Sequence, residues 1–276
     1  MKIQVSKLNQ YLLRTQILLL GAWLFSGGWS LALGASITVQ IAPRFNGAPL
    51  AFDALTNKTA AGQNISVTRL DFLMSDFALR QTDGTWIEKT NWFGYIKAGE
   101  GKNSFALENI PNGNFDRIRF HIGLPSAINH ADAAQWPAKH PLNPTVDGLY
   151  WGWAGGYVFL AIEGAWNDGH KQSGYSYHLA NDPQLMTVEL SVALNLNSDR
   201  EIQLALDMDK IFSAPNRIEL NNANDSTHSR TNDVLAAQLR ENIEGAFAII
   251  SSEGRVPRGP DTRNNLGLAE LAPPNP

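Results

Sequence analysis

Residues 115–123 read Phe115-Asp116-Arg117-Ile118-Arg119-Phe120-His121-Ile122-Gly123. Apolar and polar side chains alternate through this stretch. A period of two puts Phe115, Ile118 (after one slip), Phe120 and Ile122 on the buried side of a strand. The turn Pro111-Asn112-Gly113-Asn114 comes just before it. The same grammar extends in both directions. Residues 36–41, Ser36-Ile37-Thr38-Val39-Gln40-Ile41, alternate as a half-buried strand. Residues 67–80 carry Leu70, Phe72, Met74 and Phe77 with a break at Ser75-Asp76, which predicts a bulge. Asp83-Gly84 is a hairpin signal, and residues 86–96 return as the next strand. Further strands are predicted at 104–110, 157–164, 174–179, 186–194 and 201–208. Short strands separated by turns predict a mostly β protein, a β-sandwich.

Three segments break this rhythm. Residues 45–64 are rich in Asn, Gly, Ala and Thr and read as a loop. Residues 124–156 are rich in Pro, Gly, Asn and Trp, a long aromatic loop of the kind that is usually functional or a lid. Residues 232–250 place Val234, Leu235, Leu239, Ile243, Phe247 and Ile250 near helical spacing, which predicts one C-terminal helix. Asn232 or Thr231 would cap it, and Asp233 would favour its N-terminal dipole.

The N-terminus reads as an export signal. Lys2, Lys7 and Arg14 precede an uncharged apolar run over 17–33, and small residues follow at Gly34 and Ala35. This order is that of a cleavable secretory signal. The expected organisation is a signal peptide over 1–35, one β-sandwich domain over 36–250 and a flexible tail over 251–276. The expected location is the periplasm or cell surface, with no stable membrane insertion after cleavage.

Composition narrows the function classes. The net charge is −4 and no block of lysine and arginine occurs, which argues against nucleic acid as a partner. Cysteine is absent, so there is no disulfide, thiolate nucleophile or sulfur ligand of that kind. Stability must come from the core. No GxSxG elbow, P-loop or GxGxxG fingerprint is present.

Candidate chemistry lies in histidines, tryptophans and carboxylates. His121, His140, His178 and His228 are spread along the chain without a metal-spacing motif. Neutral imidazole is nevertheless the commonest protein ligand for copper and zinc. Tyr150-Trp151-Gly152-Trp153-Ala154-Gly155-Gly156-Tyr157 is aromatic-dense. It reads as core packing, as a modified or redox-active aromatic, or as a sugar-stacking platform built on Trp151, Trp153 and Tyr157. Glu163 and Asp207 are the carboxylates a glycoside hydrolase would need, but no motif supports that chemistry. Asp207 and Asp209 equally suit a hard cation or a cap for the turn before Ile211.

Several stretches, taken in order, resemble the MbnP-like copper-binding proteins, relatives of MopE and CorA. They are His140-Pro141-Leu142-Asn143, residues 149–159, Glu163-Gly164, Tyr175-Ser176-Tyr177-His178-Leu179, Asp207-Met208-Asp209, Ser226-Thr227-His228-Ser229 and residues 232–236. The resemblance implies a periplasmic or surface β protein, not an enzyme, that binds copper through histidines and a kynurenine made from tryptophan. It implies a diheme cytochrome c peroxidase-like partner of the MauG or MbnH type. The implied ligands are His178 and His228, with His140 as a third, and the implied modified residue is Trp153 or Trp151. Relatives place the modified tryptophan two residues before a histidine, whereas Ser176 and Ala138 stand at those positions here.

Overall fold

The computed structural model describes residues 34–152 and 155–254. Residues 1–33 of the expected signal and 255–276 of the expected tail lie outside the described residues, whereas Ala35 opens the first strand and residues 251–254 belong to the last. Ten principal strands carry the fold: β1 (Ala35–Phe45), β2 (Arg69–Gln81), β3 (Trp86–Lys97), β4 (Ser104–Ile110), β5 (Gly113–Ile122), β6 (Gly156–Asn167), β7 (Gln172–Ala180), β8 (Met186–Leu196), β9 (Arg200–Asp207) and β10 (Phe247–Gly254). Two helices, α1 (Met208–Ser213) and α2 (Val234–Glu244), lie between β9 and β10.

The strands form two sheets, as the alternating pattern predicts. In the smaller, β10 pairs β9, β9 pairs β1, and β1 also meets β4. The β1–β9 ladder is parallel, with Ile41 opposite Leu204. Ile37, Val39 and Ile41 are fully buried, and so are Ile202, Leu204 and Leu206. The larger sheet runs β8-β5-β2-β6-β7, and β3 adds to β2. The faces meet through aromatics: the Phe247 ring lies 6.3 Å from Phe72 and 5.4 Å from Phe120. Apolar faces packed this way supply the main stabilising term in a chain without disulfides.

Local features follow from particular residues. Asp76 adopts φ 49°, and the β2–β3 register shifts between Ser75 and Phe77, so the predicted bulge is present. At the β2–β3 hairpin Gly84 takes φ 93°, and Asp83 accepts from the Thr85 amide at 2.8 Å. Asp207 caps α1 by accepting from the Asp209 amide.

Three expectations are corrected. The helix expected over 232–250 ends at Glu244, with Gly245 as its C-cap, and Phe247 and Ile250 lie in β10. Phe247-Ala248-Ile249-Ile250 satisfies helical and extended spacing alike, and the Gly245 break followed by pairing to β9 decides for strand. The cap is Asp233, not Asn232 or Thr231: its side chain accepts from the Ala236 amide. Residues 45–64 are not wholly loop, since 48–49, 57–58 and 64–65 make short ladders.

The described residues 124–152 of the long segment are folded into the domain. Leu124, Ala133, Leu142 and Leu149 enter the core, and Asp132 and Asn143 cap short helical turns at 133–135 and 144–147. Among the described residues no helix is long and apolar enough to cross a membrane.

Candidate metal centre

Strands β6 and β7 pair antiparallel, with Ala161 opposite His178 and Glu163 opposite Ser176. The period of two puts Glu163, Ser176 and His178 on one face, while Tyr175 and Tyr177 are buried on the other. Residues 226–227 add to β7 in parallel, with Thr227 opposite Tyr177, which delivers the next residue, His228, beside His178. Residues 150–151 pair with the start of β6, Trp151 facing Gly156.

Together these pairings gather Trp151, Glu163, His178 and His228. The two imidazoles meet through Nδ1 and Nδ1 at 3.2 Å, with ring centroids 5.2 Å apart. Trp151 stands edge-on to His178 at 5.0 Å and lies 6.0 Å from His228. The far nitrogen of His178, Nε2, lies 2.8 Å from Glu163 Oε1. Arg69 Nη1 donates to the same oxygen at 2.8 Å, and Arg69 Nε donates to Asp71 Oδ2 at 2.8 Å. His178 is buried and His228 is exposed, so one side of the pair opens to solvent.

The loop after His228 is pinned to β7. Ser229 takes φ 52°, and its hydroxyl donates to the His178 carbonyl and accepts from the Ala180 amide. Thr227 Oγ1 bonds Asp233 Oδ2, which ties the His228 turn to the cap of α2.

The electrostatics favour neutral imidazole at His178. Burial pushes its pKa down, and the nearby His228 and Arg69 act in the same direction against the raising effect of Glu163. Burial alone would raise the Glu163 carboxyl. The His178 and Arg69 hydrogen bonds outweigh it and hold the group below the ordinary carboxylate range.

Two imidazole nitrogens 3.2 Å apart can both reach one ion through metal–nitrogen bonds of about 2 Å. Among the described residues no group of three or more His, Cys, Asp or Glu converges as a metal site. The arrangement offers one ion two imidazole ligands.

Of the residues expected at the site, the structure brings together His178, His228 and Trp151. His140 belongs to a different cluster: its ring stacks on Trp136 at 4.3 Å, faces Phe93 at 5.8 Å, and its Nδ1 accepts from the Leu142 amide. Trp153 lies outside the described residues. His121 lies on β5 with Nδ1 3.7 Å from Asp76. The sugar-stacking surface loses a member, because Tyr157 is 1% exposed and its hydroxyl donates to the Leu142 carbonyl. Glu163 is committed to His178 and Arg69, and Asp207 caps α1 from the other sheet. Sequence reading missed Arg69 and Asp71, since no spacing links them to the histidines, and it quoted Ser229 without giving it a role.

A family model described as MbnP matches residues 34–229 of the chain. Among solved structures, MbnP from Methylosinus trichosporium matches 74% of this chain and 86% of its own, with 15% sequence identity and a TM-score of 0.51. At that identity the likeness speaks for the fold alone. No curated protein matches.

Proposed function

This chain belongs to the MbnP family, and from that premise we propose that it is an exported copper-binding protein whose ligands are His178 and His228. The observation that carries this reading is the 3.2 Å approach of their Nδ1 atoms beside Trp151. Imidazole suits copper among the first-row metals. The role is binding, in copper acquisition or handling, and not catalysis.

In this reading Trp151 is the residue oxidised to kynurenine. Among the described tryptophans, its indole stands against both histidines. Two equivalents of peroxide, reduced to water through a diheme peroxidase-like partner, open the indole to N-formylkynurenine. Hydrolysis then releases formate and leaves an aniline nitrogen. That nitrogen is the third, uncharged donor the histidine pair lacks. His140 takes no part in the site and packs the aromatic segment.

The test is peptide mapping and copper assay of protein from its native compartment, beside His178→Ala and His228→Ala variants. The expected peptide carrying Trp151 gains one oxygen and loses one carbon, and both variants lose copper. Wild-type copper content in both variants would overturn the ligand assignment. An unmodified Trp151 with copper still bound would remove the kynurenine and leave a histidine site.

A further inference from the structure

We propose that Glu163 and Arg69 are positioning residues for the metal: Glu163 sets the tautomer of His178, and Arg69 holds Glu163 on the far side of the ring, out of the coordination shell. This rests on the metal-binding reading above.

A neutral imidazole has one N–H and one lone pair, and the partner of one nitrogen decides the role of the other. Glu163 Oε1 lies 2.8 Å from His178 Nε2 and also accepts from Arg69 Nη1 at 2.8 Å. The guanidinium favours the ionised form of Glu163, and a carboxylate is acceptor-only. Nε2 must therefore carry the hydrogen, and Nδ1 presents its lone pair to His228. Without a metal, the His228 Nδ1–H donates across the 3.2 Å gap. With one, the His178 ring already points the correct nitrogen inward. Carboxylates behind metal-binding histidines act in this way, and their loss commonly weakens binding about 10–100-fold.

Arg69 adds the second half of the device. Its guanidinium bridges Glu163 and the buried Asp71, whose side chain is 3% exposed. Clamped between two carboxylates, it keeps Glu163 at Nε2. A carboxylate released to the Nδ1 side would become a charged oxygen ligand, and the site would then favour divalent ions such as zinc.

The experiment begins with nitrogen-15 NMR of the metal-free protein at neutral pH. The expected result is His178 protonated at Nε2 in the wild type and in Glu163→Gln, whose amide oxygen still accepts. Glu163→Leu is expected to lose that preference and to bind copper about 10–100-fold more weakly, with Glu163→Gln in between. Arg69→Met combined with Asp71→Asn, which strands no buried charge, is expected to raise zinc affinity relative to copper. Protonation at Nδ1 in the wild type overturns the proposal, as does an unchanged tautomer and affinity in Glu163→Leu. Metal-free NMR separates the two readings: the expected tautomer in a protein that takes up no copper overturns the copper reading and leaves the positioning of the ring standing.

Discussion

The Nδ1 atoms of His178 and His228 lie 3.2 Å apart although the residues are 50 positions apart in the chain. One is an interior residue of β7 and the other follows a two-residue parallel bridge. Their environments differ, so their variants should differ. His178→Ala removes the Nε2 hydrogen bond to Glu163 in a buried setting and should cost about 1–3 kcal/mol of stability. His228 is exposed, and His228→Ala should stay within about 0.5 kcal/mol of wild type. Both should lose copper. Denaturant titration beside metal analysis checks this, and equal destabilisation by the two variants would contradict the burial difference.

The bridge that carries His228 is tied to α2 through Thr227 and Asp233. Asp233 also accepts from the Ala236 amide at 3.0 Å. Asp233→Ala should cost about 1 kcal/mol as a lost cap and should weaken copper binding as well, because the His228 turn loses its anchor. Asp233→Asn keeps the cap acceptor and should recover most of the stability. Wild-type copper affinity in Asp233→Ala would show that the His228 turn is held by Ser229 alone.

How much of this could be read in the sequence depends on the range of the interaction. Alternation is local, so 115–123 and 36–41 showed their strands and buried faces without a structure. The bulge at Ser75-Asp76 was legible for the same reason. The end of α2 was not, because Phe247 and Ile250 satisfy two periodicities and only pairing with β9 selects one. His178 and His228 stood out as residues, and the resemblance to a family marked them as ligands. Their partners did not stand out. Arg69 is 94 positions from Glu163, and nothing in its neighbourhood differs from an ordinary strand arginine. Trp151 and Trp153 look equivalent in sequence, and the pairing of residues 150–151 with β6 is what sets Trp151 beside the histidines.

His140 gives a negative prediction. Its ring stacks on Trp136 and meets the edge of Phe93, and its Nδ1 accepts from the Leu142 amide. His140→Ala should leave copper stoichiometry unchanged and cost about 1–2 kcal/mol through lost stacking and a lost acceptor. Loss of half or more of the bound copper would return His140 to the ligand set.

Asp147 should make stability fall as pH rises. Burial raises its carboxyl to about 6, against hydrogen bonds from the Leu149 and Tyr150 amides that lower it. One oxygen, Oδ2, is buried without a partner. Below pH 3.8 both folded and unfolded chains hold the proton, so no difference arises. Between about 3.8 and 6 the folded chain keeps it and the unfolded chain does not, so stability declines with rising pH. Above about 6 the full penalty applies, roughly 3 kcal/mol. Asp147→Asn removes this titration and should flatten the curve between pH 4 and 7, read by denaturant midpoints. An unchanged slope in the variant would assign the pH dependence to other groups.

Gly164 follows Glu163 directly, and it is glycine because the backbone of Ser66, just past the short strand 64–65, passes close over it. A Cβ there would lie 2.0 Å from the Ser66 carbonyl oxygen and 2.8 Å from the Tyr175 ring. The nearer obstacle is backbone, so no rotamer change relieves it. That backbone is also fixed on several sides. The Ser66 amide donates to the Ala165 carbonyl at 2.9 Å, the Tyr175 hydroxyl donates to the Ser66 carbonyl at 2.8 Å, and the Thr68 amide donates to the Glu163 carbonyl at 2.8 Å. Gly164→Ala must push these contacts apart, and overpacking of this kind costs about 1–3 kcal/mol. The displaced segment bears Glu163, so the His178 hydrogen bond should lengthen and copper affinity should fall even in the molecules that remain folded. Gly174→Ala, whose Cβ would meet only the Gly164 carbonyl at 3.7 Å, is the control on the neighbouring strand and should leave copper binding intact. A folded Gly164→Ala protein with wild-type stability and copper affinity would mean that Ser66 yields freely and that β6 does not hold Glu163 in place.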